Sequence, residues 1–158
     1  HSNPAVYSLA AYANHNLTTE EKELCQIEIA EYTINHRTES IIADIYKRKP
    51  DVLAFSCYIW NWDYVQEVMT ELHKLLPKVP IFLGGPEVSF TAEEILKQYP
   101  FLTGIMIGEG EETFLEKSVL PSPVPLPTSK DVYLPTQKAR LCSAQSRAFL
   151  VCLKKKSR

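Results

Sequence analysis

The sequence contains little glycine and none of the glycine-rich motifs that bind nucleotides. Five of its 158 residues are glycine. Neither G-x-G-x-x-G nor G-x-x-x-x-G-K-[ST] occurs, so neither dinucleotide binding nor a P-loop is supported. No apolar run approaches the roughly 18 residues that a membrane span needs, and no charged-then-apolar signal segment opens the chain. We therefore expect a protein with no membrane partner.

Metal-binding and catalytic patterns are also missing. No two of the four cysteines lie within four residues of each other, so there is no C-x-x-C motif. Cys25 and Cys57 stand in apolar surroundings, where buried free thiols are expected, and this favours a reducing, cytoplasmic setting. The four histidines do not cluster at metal-ligand spacing. We identify no Ser-His-Asp, Cys-His or paired-carboxylate arrangement, and we therefore predict no catalytic residue.

Charge divides the chain into two parts. Residues 1–117 hold 9 basic and 18 acidic side chains, whereas residues 118–158 hold 8 basic side chains and 1 acidic one. The second part has no glycine and five of the eleven prolines, so most of it is predicted to be extended or disordered. We predict one domain over 1–117 and an atypical basic tail over 118–158. No aromatic residues interleave with the terminal lysines, so we expect no nucleic-acid partner.

In the first part, short apolar runs alternate with amphipathic segments. The predicted strands are 26–34, 52–55, 79–83 and 104–107. The predicted helices are 2–14, 39–47, 62–76, 92–98 and a last one that begins at 109. A short helix from Thr19 is an alternative at the start of the first strand, and Thr91 and Glu94 have the spacing of a capping box. Strands that alternate with helices predict an α/β, doubly wound domain with a parallel sheet.

The predicted elements begin with a helix, although a doubly wound domain normally begins with a strand that becomes central in its sheet. We therefore expect the first strand to be missing. Its absence would leave backbone groups of the neighbouring strands without hydrogen-bond partners. We hypothesise that the apolar segment 148–153 of the tail fills this gap.

Ligands of doubly wound domains bind at the carboxyl ends of the strands, so the loops at these ends are the candidate site. The candidate residues are Ser56, Cys57, Tyr58, Gly84, Gly85, Pro86, Glu87, Gly108, Glu109, Gly110 and Glu111. Consecutive glycines allow a ligand to approach the backbone closely, but they also suit a plain tight turn. Ser56 could bind a ligand or cap a helix, and the two acids after Gly108 could simply favour a helix start. Tyr58, Trp60 and Trp62 either pack in the core or form the wall of an apolar ligand site.

Four segments resemble a known family in order and spacing. They are HSNPAVYSL, FSCYIWN, LGGPEVS and IGEGEETF. Over roughly residues 1–117 the chain is similar to the N-terminal cobalamin-binding domain of radical SAM enzymes. The resemblance implies a flavodoxin-like (Rossmann-like) fold, with the nucleotide tail of the corrinoid lying along Ser56, Gly84, Gly85 and the 108–111 loop. His1 stands near the position where some of these domains carry an axial cobalt ligand, which makes it the candidate metal-binding residue.

The resemblance also implies what the parent enzyme contains. Its radical SAM domain would bind a [4Fe-4S] cluster through C-x-x-x-C-x-x-C together with S-adenosylmethionine. Cys142 and Cys152 are ten residues apart and do not fit that motif. We therefore expect a fragment that binds cobalamin, has the parent's radical SAM domain as a partner, and is not catalytic by itself. The alternatives are a flavodoxin-like or receiver-like interaction domain that binds no corrinoid, and a nucleotide-dependent enzyme, which the missing glycine motifs oppose.

Overall fold

A computed structural model describes residues 4–115, 132–133 and 146–154, and it describes Leu24 and the last two ranges by their backbone alone. The strands are β1 (Cys25–Thr33), β2 (Val52–Ser56), β3 (Ile81–Gly84), β4 (Gly104–Met106), β5 (Val132–Tyr133) and β6 (Ser146–Lys154). The helices are α1 (Pro4–Asn16), α2 (Thr19–Leu24), α3 (Thr38–Arg48), α4 (Trp62–Leu75), α5 (Pro86–Ser89), α6 (Ala92–Gln98) and α7 (Glu111–Phe114).

The strands form one sheet in the order β1-β6-β2-β3-β4-β5. Every neighbouring pair is parallel except β4 and β5, which pair antiparallel at one edge. Helices separate the successive strands from β1 to β4. This architecture confirms the predicted α/β, doubly wound parallel sheet of flavodoxin-like type.

The strand β6 fills the position between β1 and β2. This strand runs parallel to β1 in an unbroken register that begins with Cys25 opposite Ser146. On its other side it pairs with the whole of β2, ending with Ser56 opposite Cys152. The hypothesis that 148–153 fills the gap is confirmed. The physical reason is that strands in the interior of a sheet need hydrogen-bond partners on both sides.

The sheet buries side chains on both faces. In β2, Leu53 and Phe55 pack with α3, α4 and α6, whereas Val52 and Ala54 pack with α1 and α7. Successive side chains of a strand point to opposite faces, so a strand covered on both sides reads as one apolar run. The helices that cover Leu53 and Phe55 contribute Ile41 and Ile45 from α3 and Val65, Val68, Met69 and Leu72 from α4. This double coverage explains why β2 was recognisable from its sequence.

The capping box predicted at Thr91 is wrong, and a capping box occurs instead at Thr18. The Thr91 side chain accepts no capping hydrogen bond, and its φ of −119° and ψ of 24° lie outside the extended region typical of a capping residue. Thr18 is extended, and its Oγ1 accepts from the Glu21 backbone N–H at 3.2 Å. The Glu21 carboxylate accepts in return from the Thr18 backbone N–H at 2.8 Å. The alternative helix from Thr19 therefore forms, and β1 begins directly after it.

We predict that Thr18→Ala lowers the free energy of unfolding by about 1 kcal/mol, because it removes a formed capping hydrogen bond. Thr91→Ala is the matched control and is expected to change stability by less than about 0.5 kcal/mol, as for an ordinary surface substitution. Urea unfolding followed by circular dichroism measures both. Equal losses for the two variants would contradict the assignment of the cap.

Candidate functional site

A cavity of about 590 Å³ lies at the carboxyl ends of β2, β3 and β4. The first half of α1 forms one wall, and the strand ends and the loops that follow them form the others. The lining residues are Ala5, Val6, Leu9, Ala54, Phe55, Ser56, Tyr58, Leu83, Gly84, Gly85, Pro86, Ser89, Phe90, Met106, Ile107, Gly108, Glu109, Gly110 and Glu111. This is the edge of the sheet at which the sequence predicted a ligand site.

Small side chains leave this space open between the sheet and α1. Ala54 of β2 belongs to the core layer under α1, and Ser56 lies two residues further along the same face. Gly84 pairs in register with both Ser56 and Met106. Because Ala54, Ser56 and Gly84 carry little or no side chain, space remains between these strand ends and α1. The cavity is therefore a direct consequence of residue size at the strand ends.

The loop after β2 is shaped by Asn61, which is fully buried. Its Nδ2 donates to the Ser56 carbonyl oxygen at 3.0 Å, and its Oδ1 accepts from the Tyr58 backbone N–H at 2.8 Å. Asn61 precedes α4, but its side chain makes no helix-capping hydrogen bond. It reaches back into the loop instead, and so it fixes the backbone of two lining residues.

The loops after β2 and β3 touch at Gly85. The Cys57 backbone N–H donates to the Gly84 carbonyl oxygen at 2.7 Å. Gly85 has a φ of 106°, and a Cβ atom built there would lie 2.4 Å from the Cys57 carbonyl oxygen. Both the positive φ and the close backbone approach exclude a side chain at this position. Gly85 is therefore required for the two loops to meet.

Large apolar side chains lie in the cavity lining and in the loop after β2. Tyr58 lines the cavity and stacks on Trp60, with ring centroids 4.6 Å apart. Phe90 is 93% exposed although it lines the cavity, and Ile59 is 78% exposed. Trp62 instead packs against the core and meets Tyr99 edge to face. Of the three aromatic residues considered from the sequence, Tyr58 thus lines the cavity, Trp60 stacks on Tyr58, and Trp62 packs against the core.

The loop after β4 closes the far side of the cavity against α1. Gly108 has a φ of 77°, which favours glycine, and Gly110 lies beside Leu9 of α1. The Ser8 hydroxyl donates to the Glu111 carboxylate at 2.7 Å. This hydrogen bond joins α1 to the start of α7. The wall of the cavity therefore depends on a contact between residues at opposite ends of the domain.

Polar groups are sparse in the cavity. Its charged lining residues within the described ranges are Glu109 and Glu111, and no Lys, Arg or His lines it there. Cys57 is fully buried, and this burial raises the pKa of its thiol well above the usual range. The thiol is therefore neutral. The cavity suits a ligand recognised by its shape and apolar faces.

The structure brings most of the predicted site residues together. Nine of the eleven candidates line the cavity, namely Ser56, Tyr58, Gly84, Gly85, Pro86, Gly108, Glu109, Gly110 and Glu111. Cys57 and Glu87 do not line it, and their backbones join the two loops through a Glu87 N–H to Cys57 carbonyl hydrogen bond of 3.4 Å. His1 lies outside the described residues. Among the residues that the structure describes, no group of three His, Cys, Asp or Glu side chains could hold a metal ion.

Sequence reasoning missed several residues that form the site. Ala5, Val6 and Leu9 line the cavity from α1, and Ser89 and Phe90 line it beyond the Gly-Gly-Pro turn. Asn61 organises the first loop without lining the cavity. The sequence predicts a helix over 2–14, but the spacing of its apolar residues cannot distinguish the wall of a cavity from ordinary core.

Comparison with known proteins identifies the class. The model of the B12 binding domain matches residues 7–117, and the chain therefore belongs to this family of cobalamin-binding domains. Two curated relatives are similar over a shorter stretch. A cobalamin-dependent radical SAM methyltransferase, TokK from Streptomyces tokunonensis, is 35% identical over 68 residues, which are 43% of this chain and 10% of that protein.

The second relative is 2-(S-pantetheinyl)-carbapenam-3-carboxylate methyltransferase from Streptantibioticus cattleyicolor. It is 34% identical over 67 residues, which are 42% of this chain and 10% of that protein. The aligned stretches thus span about a tenth of the length of these relatives. Within the described ranges, no helix combines the length and apolar character that a membrane span requires.

We predict that Gly85→Ala lowers the free energy of unfolding by about 3 kcal/mol, because the new Cβ would meet backbone at a positive φ. Gly84→Ala is the matched control. A Cβ there would lie 3.7 Å from its nearest neighbour, which is ordinary contact distance, so we expect a loss below about 1 kcal/mol. Urea unfolding of both variants measures the difference. An unchanged free energy of unfolding for Gly85→Ala would contradict the close contact of the loops.

We predict that Asn61→Asp lowers stability at neutral pH by about 2 kcal/mol, because a buried carboxylate would replace the donor to the Ser56 carbonyl oxygen. The loss should shrink as the pH falls, since a protonated carboxyl group can donate again. The exposed Asn16 also donates to a backbone carbonyl, that of Tyr12, so Asn16→Asp is the control and should cost less than about 1 kcal/mol. Unfolding curves at several pH values measure the difference, and a loss independent of pH would argue against this role of Asn61.

Proposed function

We propose that the cavity holds the nucleotide tail of cobalamin and that the macrocycle lies across its mouth. The observation that carries this proposal is the position of the cavity. It lies at the carboxyl ends of β2, β3 and β4, within the part of the chain that belongs to the B12 binding domain family. Ligands of doubly wound sheets bind at this edge, beside the point where the strand order reverses.

The residues present fit such a group. A volume of about 590 Å³ lies within the usual range of small-molecule sites. Gly84 provides a wall without a side chain, Ser56 adds a small hydroxyl-bearing one, and Leu9 and Met106 supply apolar surface around them. A flat aromatic base needs apolar faces on both sides and few polar contacts at its edge. The proposed residues for this part are Ser56, Gly84 and Gly85.

The remaining candidates would surround the rest of the ligand. The Gly108–Glu111 loop offers backbone groups on the side away from β2, while Tyr58, Pro86 and the missed residue Phe90 border the mouth. Cys57 and Glu87 would act through their backbones by holding the loops together. Bound cobalamin would supply a cobalt centre that can carry a methyl group. His1 as an axial cobalt ligand stays a prediction.

The chain would act as the cobalamin-binding module of a radical SAM enzyme, with a methyltransferase as the favoured parent. The name of the first relative, a cobalamin-dependent radical SAM methyltransferase, supports this class, and the second relative is also named a methyltransferase. In that enzyme the [4Fe-4S] cluster and S-adenosylmethionine would be bound by a separate radical SAM domain. Exposed apolar side chains, namely Phe90 in the cavity lining and Ile59 and Trp60 in the loop after β2, support a partner domain on this side. The buried free thiols of Cys25 and Cys57 suit a cytoplasmic setting.

Hydroxocobalamin titration of the purified chain, followed by desalting and absorption spectroscopy, tests the proposal. We expect the wild-type chain to retain corrinoid. Gly84→Leu should weaken binding by about tenfold or more, because it fills space that the nucleotide tail needs. Gly84→Ala adds a single carbon and should weaken it less.

Circular dichroism shows whether each variant is folded before its binding is compared. A folded wild-type chain that retains no corrinoid would contradict the proposal and favour the alternative of an interaction domain without a corrinoid. Unchanged binding by a folded Gly84→Leu protein would exclude this cavity as the site of the nucleotide tail.

A further inference from the structure

The strand β6 is distant in sequence from β1 and β2, yet it lies between them in the sheet. Within the described ranges β1 pairs with no strand other than β6. The strand β2 pairs with β6 on one side and β3 on the other. We call the position between β1 and β2 the central slot. The continuity of the sheet depends on a strand in this slot.

The same strand supports two walls of the cavity. Its register places Val151 opposite Phe55 and Cys152 opposite Ser56, and both of these β2 residues line the cavity. The helix α1, whose first half forms another wall, packs against β1 and β6. An empty central slot would therefore leave the end of β2 and the base of α1 without support. The shape of the cavity therefore depends on whether a strand occupies the central slot.

The direction of β6 means that the central slot can receive a strand from either end of the chain. Because β6 is parallel to its neighbours, it ends at the carboxyl edge of the sheet. The helix α1 begins at this same edge, since Ala5 and Val6 line the cavity there. A strand joined directly to the start of α1 would enter the slot in the same direction as β6. The central slot therefore requires a strand of this direction, but that strand can be joined to either end of the chain.

We propose that β6 is an exchangeable strand whose docking in the central slot controls ligand binding at the cavity. Docking orders the end of β2 and supports α1, and a ligand in the cavity stabilises the docked strand by the same free energy, as linkage requires. The control of cobalamin binding rests on the proposed function, whereas exchange of the strand does not. The occupant of the central slot in this proposal is the segment 146–154.

The experiment uses the full chain with Leu150→Pro. Leu150 lies opposite both Ile29 and Ala54, so proline removes a hydrogen-bond donor from the middle of an interior strand. Leu150→Val keeps the donor and is the matched control. Two quantities are measured, namely hydroxocobalamin affinity and amide hydrogen exchange of β1 in the absence of corrinoid. A synthetic peptide of residues 146–154, SRAFLVCLK, is then added to the variant, with the proline-containing peptide as its control.

We expect Leu150→Pro to weaken hydroxocobalamin binding by about tenfold or more and to speed amide exchange in β1. The wild-type peptide should reverse both effects, and the proline peptide neither. A second variant carries an extra copy of residues 146–154 before His1 in the Leu150→Pro chain, and it should recover both properties without added peptide. Recovery by either route from a Leu150→Pro chain that is unfolded alone also supports the proposal.

Two results overturn the proposal while the proposed function stands. One is wild-type affinity for hydroxocobalamin in the Leu150→Pro chain despite fast exchange in β1. The other is no recovery with either the peptide or the added copy. A wild-type chain that binds no hydroxocobalamin overturns the proposed function and the control of ligand binding. The exchange data on β1 then still decide whether the central slot accepts a strand from outside.

Discussion

The architecture depends on one requirement, that the backbones of β1 and β2 have a hydrogen-bonded strand between them. Both strands lie under helices, where water cannot replace a missing partner at low cost. The strand β6 meets the requirement along the whole length of both. Its source at the far end of the chain matters less than its direction, because a parallel sheet is defined by strand direction and register. A doubly wound sheet can therefore be completed by a segment outside the alternating strand and helix order.

The cavity follows from the same arrangement. The helix α3, which connects β1 to β2, packs on one face of the sheet, whereas α1 packs on the other. The ligands of doubly wound sheets bind in a crevice at the carboxyl ends of the strands, and the cavity lies at this edge. Small residues on the α1 face of β2 and β3 deepen the crevice. The close contact at Gly85 then holds the loops after β2 and β3 together. The site thus depends on the carboxyl edge of the sheet and on residue size at the strand ends.

The sequence predicted those features that depend on local pattern. The strand β2 is recognisable because burial on both faces gives a continuous apolar run. The helix α4 is recognisable because burial on one face gives apolar residues at helical spacing. The segment 148–153 was identified as a filler of the gap from its apolar character and from the expected lack of a partner strand. The failure at Thr91 shows the limit of a local rule, because its backbone does not take the extended conformation that capping requires. The role of Asn61 depends on where a loop folds back, which spacing does not reveal.

The contact between Ser8 and Glu111 shows how closely the site is tied to the whole fold. These residues are 103 positions apart, yet their hydrogen bond closes the wall of the cavity between α1 and α7. The position of α1 depends in turn on the sheet below it, which includes β6. A disturbance in the central slot would therefore reach the cavity by two routes, through the end of β2 and through α1. Since both routes pass through packed backbone elements and not through flexible side chains, binding at the cavity and completion of the sheet form one cooperative unit.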